Sequence, residues 1–223
     1  VKLRTALALS LAVLVLDQWA KVWIKTHLML GEEIRIADWF ILHFTENPGM
    51  AFGFELGGNW GKLALSLFRV AAVGFIVHWL FKVSQRQASR GAVISLALIL
   101  AGAAGNLIDS MVYGLFFDHS YGQVATWFPE GGGYAGFLKG KVVDMLYFPL
   151  IDTQLPEWLP VWGGRSFRFF EPIFNVADTS ISVGIGLMIL HQKELFPKED
   201  EAQSPATKPA ETAESEDRPA DAV

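Results

Sequence analysis

Cysteine is absent from the chain, which excludes disulfides, thiolate metal sites and a cysteine nucleophile. Histidine is scarce, and His27, His43, His78, His119 and His191 show neither zinc-type spacing nor an adjoining ligand cluster. Structural or surface roles suit them, and no metal or other cofactor is expected. A Gly-x-Ser-x-Gly elbow and a His-Glu-x-x-His helix are both missing, which removes the standard serine-hydrolase and zinc-protease readings. Basic residues form no stripe interleaved with aromatics, so nucleic acid is not an expected partner. Nor does the formal net charge of −5 describe the body of the protein. Residues 197–223 carry eight acidic side chains against Lys198, Lys208 and Arg218, which accounts for the whole imbalance.

Apolar residues are abundant: they make up 52% of the chain, and the mean hydropathy is positive, which suits a membrane protein better than a soluble one. Four runs have the length of a spanning helix, about 20 residues. The first covers residues 3–24 and carries Asp17 and Lys21 at i, i+4, on one helix face. No small-residue cleavage site follows its apolar stretch, so a span is favoured over a signal peptide. The second runs from Leu63 to Phe81, with Arg69 close enough to the Gly61 end to snorkel. The third, Gly91 to about Met111, is rich in small residues and ends in Asn106 and Asp109, spaced i, i+3. Small residues there predict close helix packing. The fourth, Ile173 to Leu190, repeats the Asn-x-x-Asp spacing at Asn175 and Asp178.

Between the spans, Lys82, Arg86 and Arg90 crowd one short loop, which the positive-inside rule makes cytoplasmic, together with both termini. The segments at about 31–60 and 112–171 are then exterior. In the first, Ile34–Ala37 and Phe40–Phe44 read as strands, with turns at Asn47-Pro48-Gly49 and Gly57-Gly58-Asn59. An open sheet edge cannot face lipid, so this small sheet lies outside the hydrocarbon. Asn47 is either a turn residue or a reader of a substrate's backbone. Residues 197–223 hold almost no large apolar side chain, and a disordered acidic cytoplasmic tail is expected after a 1–196 membrane domain.

A charged Asp in a spanning helix costs roughly 2.5–3.5 kcal/mol on insertion scales, so Asp178 needs a function and a partner. Two converging carboxylates cannot both ionise cheaply, so such a pair holds a proton at working pH and can supply an acid and a base. Spacing alone leaves the pairing open among Asp17, Asp109, Asp144 and Asp178. It also leaves open a transporter with a carboxylate pathway, or a scaffold whose polar groups serve packing.

The ordered set of motifs is more specific. Asp17-x-x-x-Lys21, Asn47-Pro48-Gly49-Met50-Ala51-Phe52, Gly102-Ala103-Ala104-Gly105-Asn106-Leu107-Ile108-Asp109, Val143-Asp144 and Phe174-Asn175-Val176-Ala177-Asp178 together resemble lipoprotein signal peptidase (signal peptidase II), a bacterial intramembrane aspartyl protease family. The resemblance implies an all-α membrane protein with four transmembrane helices and a small exterior β-sheet region, in the bacterial inner membrane. It implies Asp144 and Asp178 as the catalytic dyad, Asn47, Asn106 and Asn175 lining the site, and Asp17, Lys21 and Asp109 supporting it. It further implies cleavage of a diacylglyceryl-modified prolipoprotein before its lipidated cysteine, at the outer leaflet. Membrane lipids are the other expected partner, and the enzyme is expected to act as a monomer. Two departures stand out. Ser110 follows Asp109 where the family usually has Arg, which makes Lys139, Lys141, Arg165 and Arg168 candidates for the missing charge. Segments 110–141 and 149–170 exceed the family's compact form and read as tolerated surface insertions rather than a lid or partner surface.

Overall fold

A computed structural model describes residues 3–49, 58–86, 88–169 and 171–196. Helix α1, Leu3–His27, contains neither glycine nor proline and runs unbroken for 25 residues. Strands β1, Glu33–Ala37, and β2, Phe40–Asn47, form an antiparallel hairpin in which Ile34 faces Leu42 across the ladder. The hairpin closes at Asp38-Trp39. Helix α2, Gly58–Gln85, starts inside the stretch that the glycines had marked as a turn, so the exterior segment is shorter than its expected limit at residue 60. Met50–Phe52 of the second motif and the tail from residue 197 lie outside the described residues.

Helix α3 is Arg90–Ile108, with Ser89 at its N-cap accepting from the Ala92 N–H at 3.3 Å. The helical path does not stop near residue 111. It widens into a π-helical turn, Asp109–Tyr113, and ends in a short α4, Gly114–Phe116. The carbonyls of Ser110 and Met111 in this turn accept from the N–H groups of Gly140 and Leu138, at 2.9 and 3.2 Å. The chain entering β3, Val142–Tyr147, is therefore laid along the π turn. A two-stranded hairpin follows, β4 (Ile151–Gln154) with β5 (Ser166–Phe169), then β6, Ile173–Phe174. The larger sheet has the order β1-β2-β3-β6, with Thr45 opposite Asp144 and Leu146 opposite Phe174. Helices α5, Val176–Leu190, and α6, Gln192–Leu195, complete the fold.

Three helical runs, Leu3–His27, Trp60–Gln85 and Arg90–Phe116, are long and apolar enough to cross a membrane. The outer faces of the first two display Leu11, Val15, Trp19, Phe68 and Phe75, an arrangement that water would penalise and lipid would not. The protein is therefore a multi-pass membrane protein. Helix α5 has 15 residues and, at 1.5 Å per residue, is about 22 Å long. It lies antiparallel to α3 at close range. A Cβ added to Gly184 would meet the Ser95 carbonyl at 2.8 Å, and one added to Gly105 would meet the Ala177 Cβ at 3.2 Å. At the far end Glu194 accepts from the Ser89 N–H at 2.7 Å. The small residues of α3 thus do what their size predicts: they let two helices touch.

Two apolar clusters frame the polar centre. One gathers Ala6, Leu80, Val83, Val93, Leu96 and Leu195 near the α2–α3 connection. The other joins Ile24 and Leu28 of α1 to Phe44, Tyr113, Phe117, Val143 and Met145 beneath the sheet. Ala125 belongs to this second cluster, and Tyr134 Oη accepts from the Lys141 N–H at 2.7 Å. Residues 110–141 are thus built into the body of the protein and are not a surface addition. The 149–170 segment is the β4–β5 hairpin, whose tip exposes Trp158, Val161 and Trp162.

Candidate active site

The repeated Asn-x-x-Asp spacing has two different structural meanings. At α5 it is a capping box, in which Asn175, in an extended conformation, accepts from the Asp178 N–H at 2.9 Å and Asp178 accepts from the Asn175 N–H at 3.4 Å. Two orphan donors of the first turn are satisfied, and both side chains are held at the helix mouth. At α3 the pair lies at the end of the helix and the start of the π turn, where Asn106 and Asp109 point at neighbouring elements. π turns occur frequently at functional sites, because the widened turn re-aims side chains.

Because the Asn175 oxygen is committed to the cap, its Nδ2 faces the interior. It donates to Asp144 Oδ1 at 2.6 Å and also lies 3.2 Å from Asn106 Oδ1 and 3.3 Å from the Val143 carbonyl. Asn106 Nδ2 donates to Asp178 Oδ1 at 2.8 Å. The carboxylates of Asp144 from β3 and Asp178 from α5, 34 residues apart in sequence, are therefore both held by Asn175, the first through its side-chain Nδ2 and the second through its backbone N–H. Asp144 is 4% exposed, whereas Asp178 is half-buried. Burial, reinforced by the neighbouring charge of Asp178, pushes the Asp144 carboxyl up from 3.8 to about 7 against the opposing bond from Asn175.

The other two aspartates serve the scaffold. Lys21 is fully buried and spends its three donors on Asp17 at 2.9 Å, Asp109 at 2.8 Å and Asn106 Oδ1 at 2.8 Å. Asp17 also accepts from the Ala177 N–H at 2.8 Å, capping α5 from a neighbouring helix. Asp109 accepts from the Val143 N–H at 3.3 Å, holding β3 one residue before Asp144. The Asp17–Lys21–Asp109 cluster thus fixes the two elements that carry Asp178 and Asp144. Breaking one member of such a buried group costs about 3–5 kcal/mol. Asn47 stands at the end of β2, its Oδ1 accepting from the Gly49 N–H at 2.8 Å, in a turn where Gly49 has φ +101°. It pairs with Val142, two register positions from the Thr45–Asp144 pair.

Other residues meet the site through contacts that motif spacing does not reveal. Gln18 donates to Asp109 Oδ1 at 2.9 Å and receives the Tyr113 hydroxyl at 3.2 Å. Arg69, expected to snorkel outward, instead turns inward and donates to Ser110 Oγ at 2.5 Å. An arginine inside a spanning helix is itself a reason to expect a function, and that signal was available. Lys141, one of four candidates for a charge near Ser110, is committed to Glu46 at 2.9 Å. Glu46 also receives Lys25 at 2.5 Å. Burial would raise the Glu46 carboxyl, but these two ammonium groups more than offset it and hold it below its ordinary range. Lys25 is fully buried, with Tyr134 and Phe117 5.0 and 5.4 Å from its ammonium.

The model of the family described as Signal peptidase (SPase) II matches residues 9–193. A lipoprotein signal peptidase of Porphyromonas gingivalis is 51% identical over 184 residues, covering 82% of this chain and 80% of the relative. A lipoprotein signal peptidase of Amoebophilus asiaticus is 34% identical over 190 residues, covering 83% and 76%. Two solved structures, both described as a bacterial membrane enzyme studied by the in meso method, align with TM-scores of 0.54 and 0.55. They cover 88% and 83% of this chain and 93% and 90% of their own, at 20% and 22% identity, and so support the fold.

Proposed function

This chain belongs to the signal peptidase II family, and from that premise we propose that it removes the signal peptide of diacylglyceryl-modified prolipoproteins with Asp144 and Asp178 as an aspartyl dyad. The observation that carries the reading is that both carboxylates accept from Asn175: Asp144 Oδ1 from its Nδ2 at 2.6 Å and Asp178 Oδ2 from its backbone N–H at 3.4 Å. Asp17 and Asp109 make the poorer pair, because each is fully buried and both are committed to Lys21. Asp144, with its carboxyl pushed up to about 7, holds the shared proton. Asp178, the more exposed of the two, takes a proton from water as that water attacks the scissile carbonyl. Asp144 donates to the developing oxyanion, and the proton then passes to the leaving amine. Asn106 and Asn175 keep the two carboxylates oriented through this exchange.

The same reading makes α5 the fourth span. Its 15 residues are fewer than the usual 20, but Asp178 lies beside the outer part of α3 and Glu194 beside Ser89 at the other end. The chain of α5 and α6 therefore runs alongside α3 down to the short α2–α3 loop, which holds Arg86 and is flanked by Lys82 and Arg90. That loop and both termini are cytoplasmic, and the protein resides in the bacterial inner membrane. Helical structure continues from Asn106 to Phe116, about 15 Å beyond the site, which supports a dyad within the outer leaflet beneath the sheet. A substrate anchored by its own acyl chains arrives at that depth, and the enzyme acts as a monomer. The test is cleavage of one peptide made with and without the lipid on its cysteine. Cutting of the lipidated form alone is expected. Equal cutting of both forms, or of neither, would reject the assignment.

A further inference from the structure

We propose that Arg69 is a positioning residue of the aspartate pair: its guanidinium, aimed by Ser110, supplies the positive charge that allows one of the two carboxylates to remain ionised during catalysis. The inference rests on the dyad reading and deepens it.

Charge balance motivates the proposal. Asp17, Asp109, Asp144 and Asp178 bring four carboxylates into one hydrogen-bonded centre. Lys21 answers two of them and has no donor left over. Even with one proton on the pair, the centre is short of positive charge in a medium where charge is expensive. Arg69 is the cation placed to meet that need. It lies on α2, half-buried, and its charge acts on Asp109, Asp178 and Asp144. Lys62 is the cation that faces Arg69 from its own helix, and Lys21 faces Asp144 from α1.

Geometry makes the arrangement specific. Ser110 belongs to the π turn, where its hydroxyl donates back to the Asn106 carbonyl at 2.8 Å and accepts from Arg69 at 2.5 Å. The hydroxyl is thus fixed by the backbone of the residue that holds Asp178. Ser110 is the hydrogen-bond partner of Arg69 among the described residues, which engages one of the five guanidinium N–H donors. No carboxylate lies within ion-pair distance of Arg69 among the described residues. An arginine recruited only to pin α2 to α3 would gain more from a direct ion pair than from a serine hydroxyl. Held off the carboxylates, the guanidinium biases their ionisation without occupying the oxygens that must handle water and proton.

The test compares Arg69→Gln, Arg69→Lys and Ser110→Ala on a lipidated peptide across pH. Loss of the charge in Arg69→Gln is expected to lower kcat about tenfold or more, leave KM within about twofold, and move the acid limb of kcat upward by about one pH unit. Arg69→Lys keeps the charge and is expected to restore the limb to within a few tenths of a unit. Ser110→Ala leaves the arginine present but untied, so a smaller shift of the same sign is expected. In the Arg69→Gln background Ser110→Ala should add nothing. An acid limb unmoved in both Arg69→Gln and Ser110→Ala, or moved as far by Arg69→Lys as by Arg69→Gln, would overturn the proposal. Should Arg69→Gln fail to fold, Ser110→Ala against Arg69→Lys decides the matter. The outcome separates from that of the dyad: an inactive Asp144→Asn beside an unmoved limb rejects Arg69 alone, whereas an active Asp144→Asn rejects both.

Discussion

Replacing Asp144 by Asn should make the protein more stable at pH 8 while destroying its activity. The Asp144 carboxyl is 4% exposed, and burial with the nearby Asp178 raises it from 3.8 to about 7. A group whose folded value exceeds its unfolded value favours the folded state when protonated. Its contribution is complete below pH 3.8 and is lost as pH rises through about 7. At roughly 1.4 kcal/mol per pH unit, the interval corresponds to about 4 kcal/mol that the native carboxylate costs at pH 8. Asparagine keeps the shape and the acceptor for the Asn175 amide, 2.6 Å away, but never ionises. The expected gain is therefore about 4 kcal/mol at pH 8, or on the order of 10 °C in Tm, shrinking below about 1 kcal/mol at pH 4. Thermal unfolding of both proteins in one detergent, at pH 4, 6 and 8, measures it. A variant no more stable than wild type at pH 8, or one whose advantage does not grow with pH, would refute the reasoning.

Other consequences follow from the same contacts. Turnover should decline as pH rises through about 7, because the proton held by Asp144 is then lost; a kcat profile flat from pH 6 to 9 would contradict this. Asn175→Ala removes the cap and the bond to Asp144 together, costing about 1 kcal/mol of stability and about a hundredfold in kcat, with KM little changed. Glu46→Gln leaves the buried Lys25 ammonium without its counter-ion and should cost about 3–5 kcal/mol above pH 5, read by thermal unfolding. Since Glu46 titrates below its ordinary range, that difference should shrink as pH falls through its folded value, in the sense opposite to Asp144. Gly105→Ala places a methyl 2.5 Å from Asp17 Oδ2, so cleavage should fall even where the protein still assembles.

The spans were legible because lipid imposes one rule on every residue of a helix face, and Leu11, Phe68 and Phe75 obey it locally. The capping box was legible in spacing but not in meaning: an identical Asn-x-x-Asp at residues 106 and 109 serves a π turn, and periodicity does not distinguish the two. Asp144 could not be reached from spacing because its position depends on a long-range strand pairing, Thr45 with Asp144, and on the π turn that leads the chain to it. Motif order supplied that step. Arg69 was misread because a side chain near a helix end can reach either water or the interior, and only the tertiary position of Ser110 decides which. Residues 110–141 resembled an insertion for the same reason, since Ala125 and Tyr134 join the core through partners far away in sequence.

Single-turnover cleavage of a lipidated prolipoprotein peptide by Asp144→Asn and Asp178→Asn tests whether the two carboxylates held by Asn175 carry out the hydrolysis. Both variants should remain in the membrane, bind the peptide and release no product above background. Measurable cleavage by either one would contradict the account.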